Sequence, residues 1–327
     1  MKRILCVFMA VLILAILLMT QLGAAETPKN SYIKYVEFNV TKSALQSAID
    51  IDIATHEEDN HVDCVTLLAY LGAKYGGDFT KYKYADMTDF ADKIKSGESV
   101  EELTKDMQYY GYYKEAYSAA IGTMVGKYEE EREDDSGNKV MEQKYGICWF
   151  SPIAKTFPYS AYDDFGAQRT YGYTRPHLGH DMMSAVGTPV IAVESGVVEC
   201  MGWNQYGGWR IGIRSYDSKR YWYYAHLRQN RPFAENLKEG DEVEAGDVIG
   251  YVGRTGYSST ENVNGITENH LHIGLELVFD ESQKESDNEI WIDVYAITSI
   301  LENHQSAVLR NSETKEFTRK FDFNMLN

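Results

Sequence analysis

At 327 residues, with 44% hydrophobic and 13% aromatic side chains, the chain is long enough for two domains with buried cores and too apolar to be disordered throughout. Its formal net charge of −17 argues against a nucleic-acid partner, which would want a basic face, and against simple electrostatic adhesion to an anionic wall or membrane. Binding to a polyanionic surface would have to come from a specific groove.

In chain order, Lys2 and Arg3 precede an apolar run from Ile4 to Met19, and Leu22-Gly23-Ala24-Ala25 supplies the small residues that suit signal-peptidase cleavage near Ala25. The run from Ile4 to Ala25 is also long enough to cross a bilayer, which takes about 20 apolar residues. Residues 1–25 therefore read as a cleaved export signal or an uncleaved membrane anchor, and both place the rest outside the cytoplasm. Residues 27–128 read as helical. Val65, Leu68 and Leu71 share one helix face stopped by Gly76-Gly77; Met87, Phe90 and Ile94 mark a second, ended by Gly97. Ser99 with Glu102 is a capping signature for a third helix, and Tyr112 to Val125 reads as a fourth. Residues 129–150 are a charged hairpin or linker around the turn Asp135-Ser136-Gly137-Asn138. Residues 151–302 turn glycine-rich, with strand-like runs at Val190–Val193, Val197–Met201, Trp209–Ser215, Tyr221–Ala225, Val248–Val252 and Leu271–Val278. Asn288 to Leu301 closes this region with Val294, Ile297 and Leu301 on one helical face, and 303–327 read as a C-terminal tail. The expected class is α+β, a helical N-terminal domain followed by a mainly antiparallel β domain. Cys6, Cys64, Cys148 and Cys200 have no CxxC spacing, so a cysteine metal site is not expected.

The chemistry concentrates in the β-rich region. Strand side chains alternate faces, so His270 and His272 of His270-Leu271-His272 present two imidazoles side by side while Leu271 faces the core. Neutral imidazoles so placed suit a metal ion. In His177-Leu178-Gly179-His180-Asp181, His177 and Asp181 share a face, and Gly179 lets the backbone bend or approach something closely. With one histidine of the HxH pair they make three N/O ligands for Zn²⁺ and leave a fourth position for water. His226, after the run Tyr221 to Ala225, reads alone as a core histidine.

The combination H-x-G-x-D, then Y-A-H-L, then H-L-H resembles the lysostaphin-type (LytM-like) zinc endopeptidases. Glu239-Gly240-Asp241 through Gly250 and Gly253-Arg254-Thr255-Gly256 are similar to that family's glycine-rich segments, and the resemblance runs from about Phe165 to Phe279. It implies one zinc ion held by His177, Asp181 and His272, catalytic roles for His226 and His270, and a groove for the peptide stems or cross-bridges of bacterial peptidoglycan. The alternative is a non-catalytic, peptidoglycan-binding or scaffold protein of the same fold. A zinc hydrolase acting on another exported substrate is a second rival. Two features depart from the pattern: the segment Tyr257 to Asn269 is long and polar and is expected to form a groove wall, and His180 is expected to point away from the metal face. The helical region has no assigned role; its acidic Glu57, Glu58, Asp59 and Asp63 read as a solvated helix start, and Asn39, His56 and His61 are open candidates for a self-inhibiting fourth zinc ligand.

Overall fold

The computed structural model describes residues 32–284 and 286–326, so the export signal or anchor expected at residues 1–25 lies outside the described residues. Residues 34–327 form one compact unit. Helices α1 (Lys42–Thr55) and α2 (Cys64–Tyr75) begin on capping side chains, the Thr41 hydroxyl accepting from Ala44 N–H and the Asp63 carboxylate from Thr66 N–H. Helix α2 buries Val65, Leu68 and Leu71 and stops at Gly76, whose φ of +65° suits glycine. Helices α3 (Tyr84–Lys95), α4 (Val100–Thr104) and α5 (Tyr110–Ile121) follow, with Ser99 capping α4 by accepting from Glu102 N–H. The last helix is shorter than its sequence pattern suggests, because Val125 already belongs to a strand. Among the described residues no helix is long and apolar enough to cross a membrane.

Strands β1 (Val125–Glu133) and β2 (Lys139–Ile147) form the charged hairpin, its turn held by Asp134 Oδ1, which accepts from Ser136 and Asn138 N–H at 2.8 Å each. The β-rich region then runs through β3 (Tyr159–Ala161), β4 (Gln168–Tyr171), β5 (Tyr173–Pro176), β6 (His180–Ser184), β7 (Pro189–Ile191), β8 (Gly196–Asn204), β9 (Gly208–Ser215) and β10 (Arg220–Ala225). Strands β11 (Glu242–Val243), β12 (Val248–Tyr251), β13 (His270–Leu277) and β14 (Ile290–Ile292) and helix α6 (Tyr295–Leu301) complete it. After them come β15 (Val308–Arg310), β16 (Phe317–Arg319) and β17 (Phe323–Leu326), and β17 pairs with β1. The main sheet has the order β11-β8-β9-β10-β13-β6-β3, with β14 on β13, and its pairs are antiparallel. The fold is α+β.

Alternation gives this sheet two chemically distinct faces. Ile211, Ile213, Trp222, Tyr224, Leu271, Ile273 and Leu275 are buried on one. The intervening residues of β9, β10 and β13, among them Arg210, Tyr223, His270 and His272, line a cavity on the other.

One buried ionic network ties α5 to the sheet. Arg220, fully buried on β10, donates from Nε to Glu194 Oε2 at 2.9 Å and from NH1 to the Ala119 carbonyl at 2.7 Å. That carbonyl belongs to the last turn of α5, which has no helical partner left to bond. Glu194 also accepts from Trp222 Nε1 at 3.0 Å and from the Thr123 hydroxyl at 2.6 Å. Truncating one side of such a pair strands the other charge, so Arg220→Leu should cost about 3–5 kcal/mol in denaturant unfolding. The double change with Glu194→Leu should recover part of that loss. A loss below about 1 kcal/mol, the size of a surface pair, would contradict the assignment.

Candidate metal centre and active site

Strands β6 and β13 pair with Asp181 directly opposite His272, so the carboxylate and the imidazole emerge side by side on the cavity face. His177 reaches the same point from the loop between β5 and β6. The close approach depends on Gly179: a Cβ there would collide with the Ile273 carbonyl and stand 2.8 Å from His272 Cε1. His177 Nε2 lies 2.8 Å from His272 Nδ1 and 3.1 Å from Asp181 Oδ1, and His272 Nδ1 lies 3.3 Å from the same oxygen. Donors at tetrahedral Zn²⁺ distances from a single ion stand about 3.3 Å apart, so these three atoms fit one ion. Among the described residues they are the convergent donor set.

Neighbours fix the lone pairs. His177 Nδ1 sits 3.1 Å from the Arg169 guanidinium, 3.2 Å from the Asp164 carbonyl oxygen and 3.3 Å from its carboxylate, so Nδ1 is engaged on that side and Nε2 is left to bind. Arg169 donates to Asp181 Oδ2 at 3.0 Å and to the Asp164 carboxylate, which leaves Asp181 Oδ1 facing the imidazoles. Burial opposes ionisation of Asp181, but the adjacent His177, His272 and His270 imidazoles hold its carboxyl far below the usual carboxylate range. Sequence reading missed Asp164 and Arg169, which sit 13 and 8 residues before His177 in no recognisable pattern. Because Asp164 orients a ligand without touching the ion position, Asp164→Ala should lower zinc affinity about 10–100-fold, read by competition with a chromophoric chelator. Unchanged affinity would remove Asp164 from the site.

His226 and His270 stand beside this set, their ring centres 4.8 Å apart, with His226 5.8 Å from the His272 ring. His226 Nδ1 lies 2.9 Å from the Thr255 carbonyl and His270 Nδ1 lies 3.0 Å from the Glu268 carbonyl. A carbonyl only accepts, so both rings carry their proton on Nδ1 and keep a bare Nε2. His270 Nε2 is 3.6 Å from Asp181 Oδ1. Burial first, and His270 and His272 second, push the His226 pKa well below its ordinary value, which keeps the ring neutral. His226 has a left-handed φ of +61°, which costs a side-chain-bearing residue about 1–2 kcal/mol. Its N–H bond to the Gly207 carbonyl at 2.8 Å helps hold it there.

The cavity over these residues measures about 790 Å³. Tyr257 and Ile266 bring the long polar segment into its wall, and Tyr257 stacks on Tyr171 of β4 with ring centres 5.0 Å apart. His180 is on the opposite face, fully buried, with Nε2 2.9 Å from the Thr298 hydroxyl of α6. His61 lies 2.8 Å from Asp52 and His56 stacks on Tyr145, while the Asn39 side chain bonds Glu37; none of the three candidate fourth ligands lines the cavity. Cys64, Cys148 and Cys200 are free thiols.

The chain is similar to known proteins over this region. The family model described as Peptidase family M23 matches residues 175–286. The L-Ala–D-Glu endopeptidase of Bacillus subtilis is 42% identical over 124 residues, which are 38% of this chain and 36% of that protein. Lysostaphin of Staphylococcus simulans is 40% identical over 98 residues, 30% of this chain and 17% of that protein. The chain thus spans well under half the length of these curated relatives. A solved LytM structure from Ruminococcus gnavus is 23% identical with a TM-score of 0.55, covering 84% of this chain and 92% of that one, and shares the fold. Residues 175–286 are therefore similar to peptidase family M23, in a chain that shares the fold of that LytM structure.

Proposed function

We propose that this protein is an exported zinc-dependent endopeptidase that hydrolyses peptide bonds in bacterial cell-wall peptidoglycan. The observation that carries the reading is the convergence of His177 Nε2, Asp181 Oδ1 and His272 Nδ1 within 3.3 Å of one another, with two bare imidazole nitrogens beside them. The name of the Bacillus subtilis relative, L-Ala–D-Glu endopeptidase, supports the reaction class, and that of a further relative, Peptidoglycan DD-endopeptidase ShyC of Vibrio cholerae, supports the cell-wall substrate. The apolar run at residues 4–19 supports export, as a cleaved signal or an anchor.

His177, Asp181 and His272 would hold one zinc ion. When bound, zinc lowers the pKa of a water toward ~7 and polarises the scissile carbonyl. One of His226 and His270 accepts the proton of the attacking water at its Nε2, and the proton is returned to the leaving amine. The imidazolium formed between those events stabilises charge on the tetrahedral oxygen. Their Nδ1 bonds to the Thr255 and Glu268 carbonyls hold both rings in the accepting tautomer. Asp164 and Arg169 position the ligands.

Mass analysis of muropeptides after digestion tests this reading. Each cut should add one water and expose one new amine within a peptide stem or cross-bridge, with glycan chains intact. Binding to peptidoglycan without any such product would favour the non-catalytic alternative.

A further inference from the structure

We propose that Arg175 and Arg210 form a carboxylate-binding subsite beside the reacting centre, so that the accepted peptide carries a free rather than amidated acid group. The proposal rests on the endopeptidase reading for its substrate. Arg210 projects from β9 into the cavity among Tyr221, Tyr223 and Cys200, none of them a carboxylate. The tyrosines are kept close by glycines: a Cβ at Gly212 would run into the Tyr221 hydroxyl, and one at Gly207 into the Tyr223 hydroxyl. Tyr223 in turn lies 5.8 Å from the His272 ring, so Arg210 is one aromatic ring away from the ligand set. Arg175 enters from the β4–β5 hairpin, its guanidinium carbon 4.8 Å from the Tyr206 ring centre and 5.4 Å from that of Tyr257.

Both guanidinium groups keep a buried N–H without a partner. Arg210 Nε and Arg175 Nη1 are shielded from solvent and make no hydrogen bond among the described residues. By contrast, four other partly or fully buried arginines are paired, Arg220 with Glu194, Arg214 with Glu199, Arg169 with Asp181, and Arg228 with Glu316. Carboxylates are not scarce in a chain with 49 acidic and 32 basic residues. Of the acids on the same cavity wall, Glu199 is engaged by Arg214 and Lys284, Glu289 by Trp291 Nε1 and Asp181 by Arg169, and Glu276 stands on β13 opposite Tyr221. A half-buried cation without a paired counter-charge is costly, and a planar guanidinium fork matches a carboxylate in two-point geometry. A substrate carboxylate resolves both facts.

The test separates binding from turnover. The full chain, held in chelator to stop hydrolysis, is titrated calorimetrically with two synthetic stem tetrapeptides that differ only in a glutamate carboxylate, free in one and amidated in the other. The free acid should bind about tenfold tighter. Arg210→Gln and Arg175→Gln should each shrink that difference to about twofold, and Arg210→Lys should retain part of it. Equal affinity of the wild-type chain for both peptides would overturn the subsite, as would variants that weaken both peptides alike. Zinc is then added. Hydrolysis without preference for the free acid sinks the subsite alone. A binding preference that survives while neither peptide is cut supports the subsite and counts against the endopeptidase reading.

Discussion

The His270→Ala chain should bind zinc as the parent does and lose about 10²–10⁴-fold in kcat for peptide hydrolysis. The reason is geometric. His270 Nε2 approaches the ligand set only at its edge, 3.6 Å from Asp181 Oδ1, whereas the three proposed ligand atoms are within 3.3 Å of one another. Removing it takes away a base and leaves the donors in place. His226→Ala should behave in the same way, with a complication from the backbone: φ at this position is +61°, a region where alanine is strained. His226→Asn is the cleaner change, because asparagine tolerates that conformation and offers no base. Zinc content by elemental analysis and single-turnover rates read the two properties separately. Wild-type turnover in either histidine variant would refute the catalytic assignment, and loss of zinc from both would make them ligands instead.

Asp181→Ala should have the opposite signature, with zinc affinity falling by more than about 100-fold and activity lost because the ion is lost. Asp181 is the one anion among the proposed ligands, and its Oδ1 faces both imidazoles. Its loss leaves His177 and His272 with lone pairs 2.8 Å apart and no carboxylate to offset the charge of a cation. Arg169 then keeps Asp164 as its partner, so the fold should survive and melting of the zinc-free protein should change little. Stoichiometric zinc in Asp181→Ala under chelator competition would contradict the ligand assignment.

His177, Asp181 and the His270–His272 pair could be read from sequence because their geometry is local, whereas the role of His226 and the choice of His272 as ligand came from the family resemblance. Period-two alternation places His270 and His272 on one face of β13, and the same rule sends His180 to the opposite side of β6 from Asp181, where it meets Thr298. Gly179 is legible as a close approach, although only the structure shows that it lies against Ile273 and His272. Asp164 and Arg169 could not be found this way, since they join the centre through the fold and through no spacing. The same holds for Arg175 and Arg210, whose significance is the lack of a carboxylate partner, a property of three-dimensional surroundings. Likewise no local pattern announces that β17 pairs with β1, or that Arg220 closes the last turn of α5.

One zinc ion, held by His177, Asp181 and His272, is proposed to drive peptide hydrolysis in the cell wall. This role is tested most directly by release of soluble fragments from purified peptidoglycan by the purified chain, after chelation and after stoichiometric zinc is returned. The expected result is release that stops with chelator, resumes at one zinc per chain and generates new amino termini. Release indifferent to chelator, or none from the zinc-loaded protein, would contradict it.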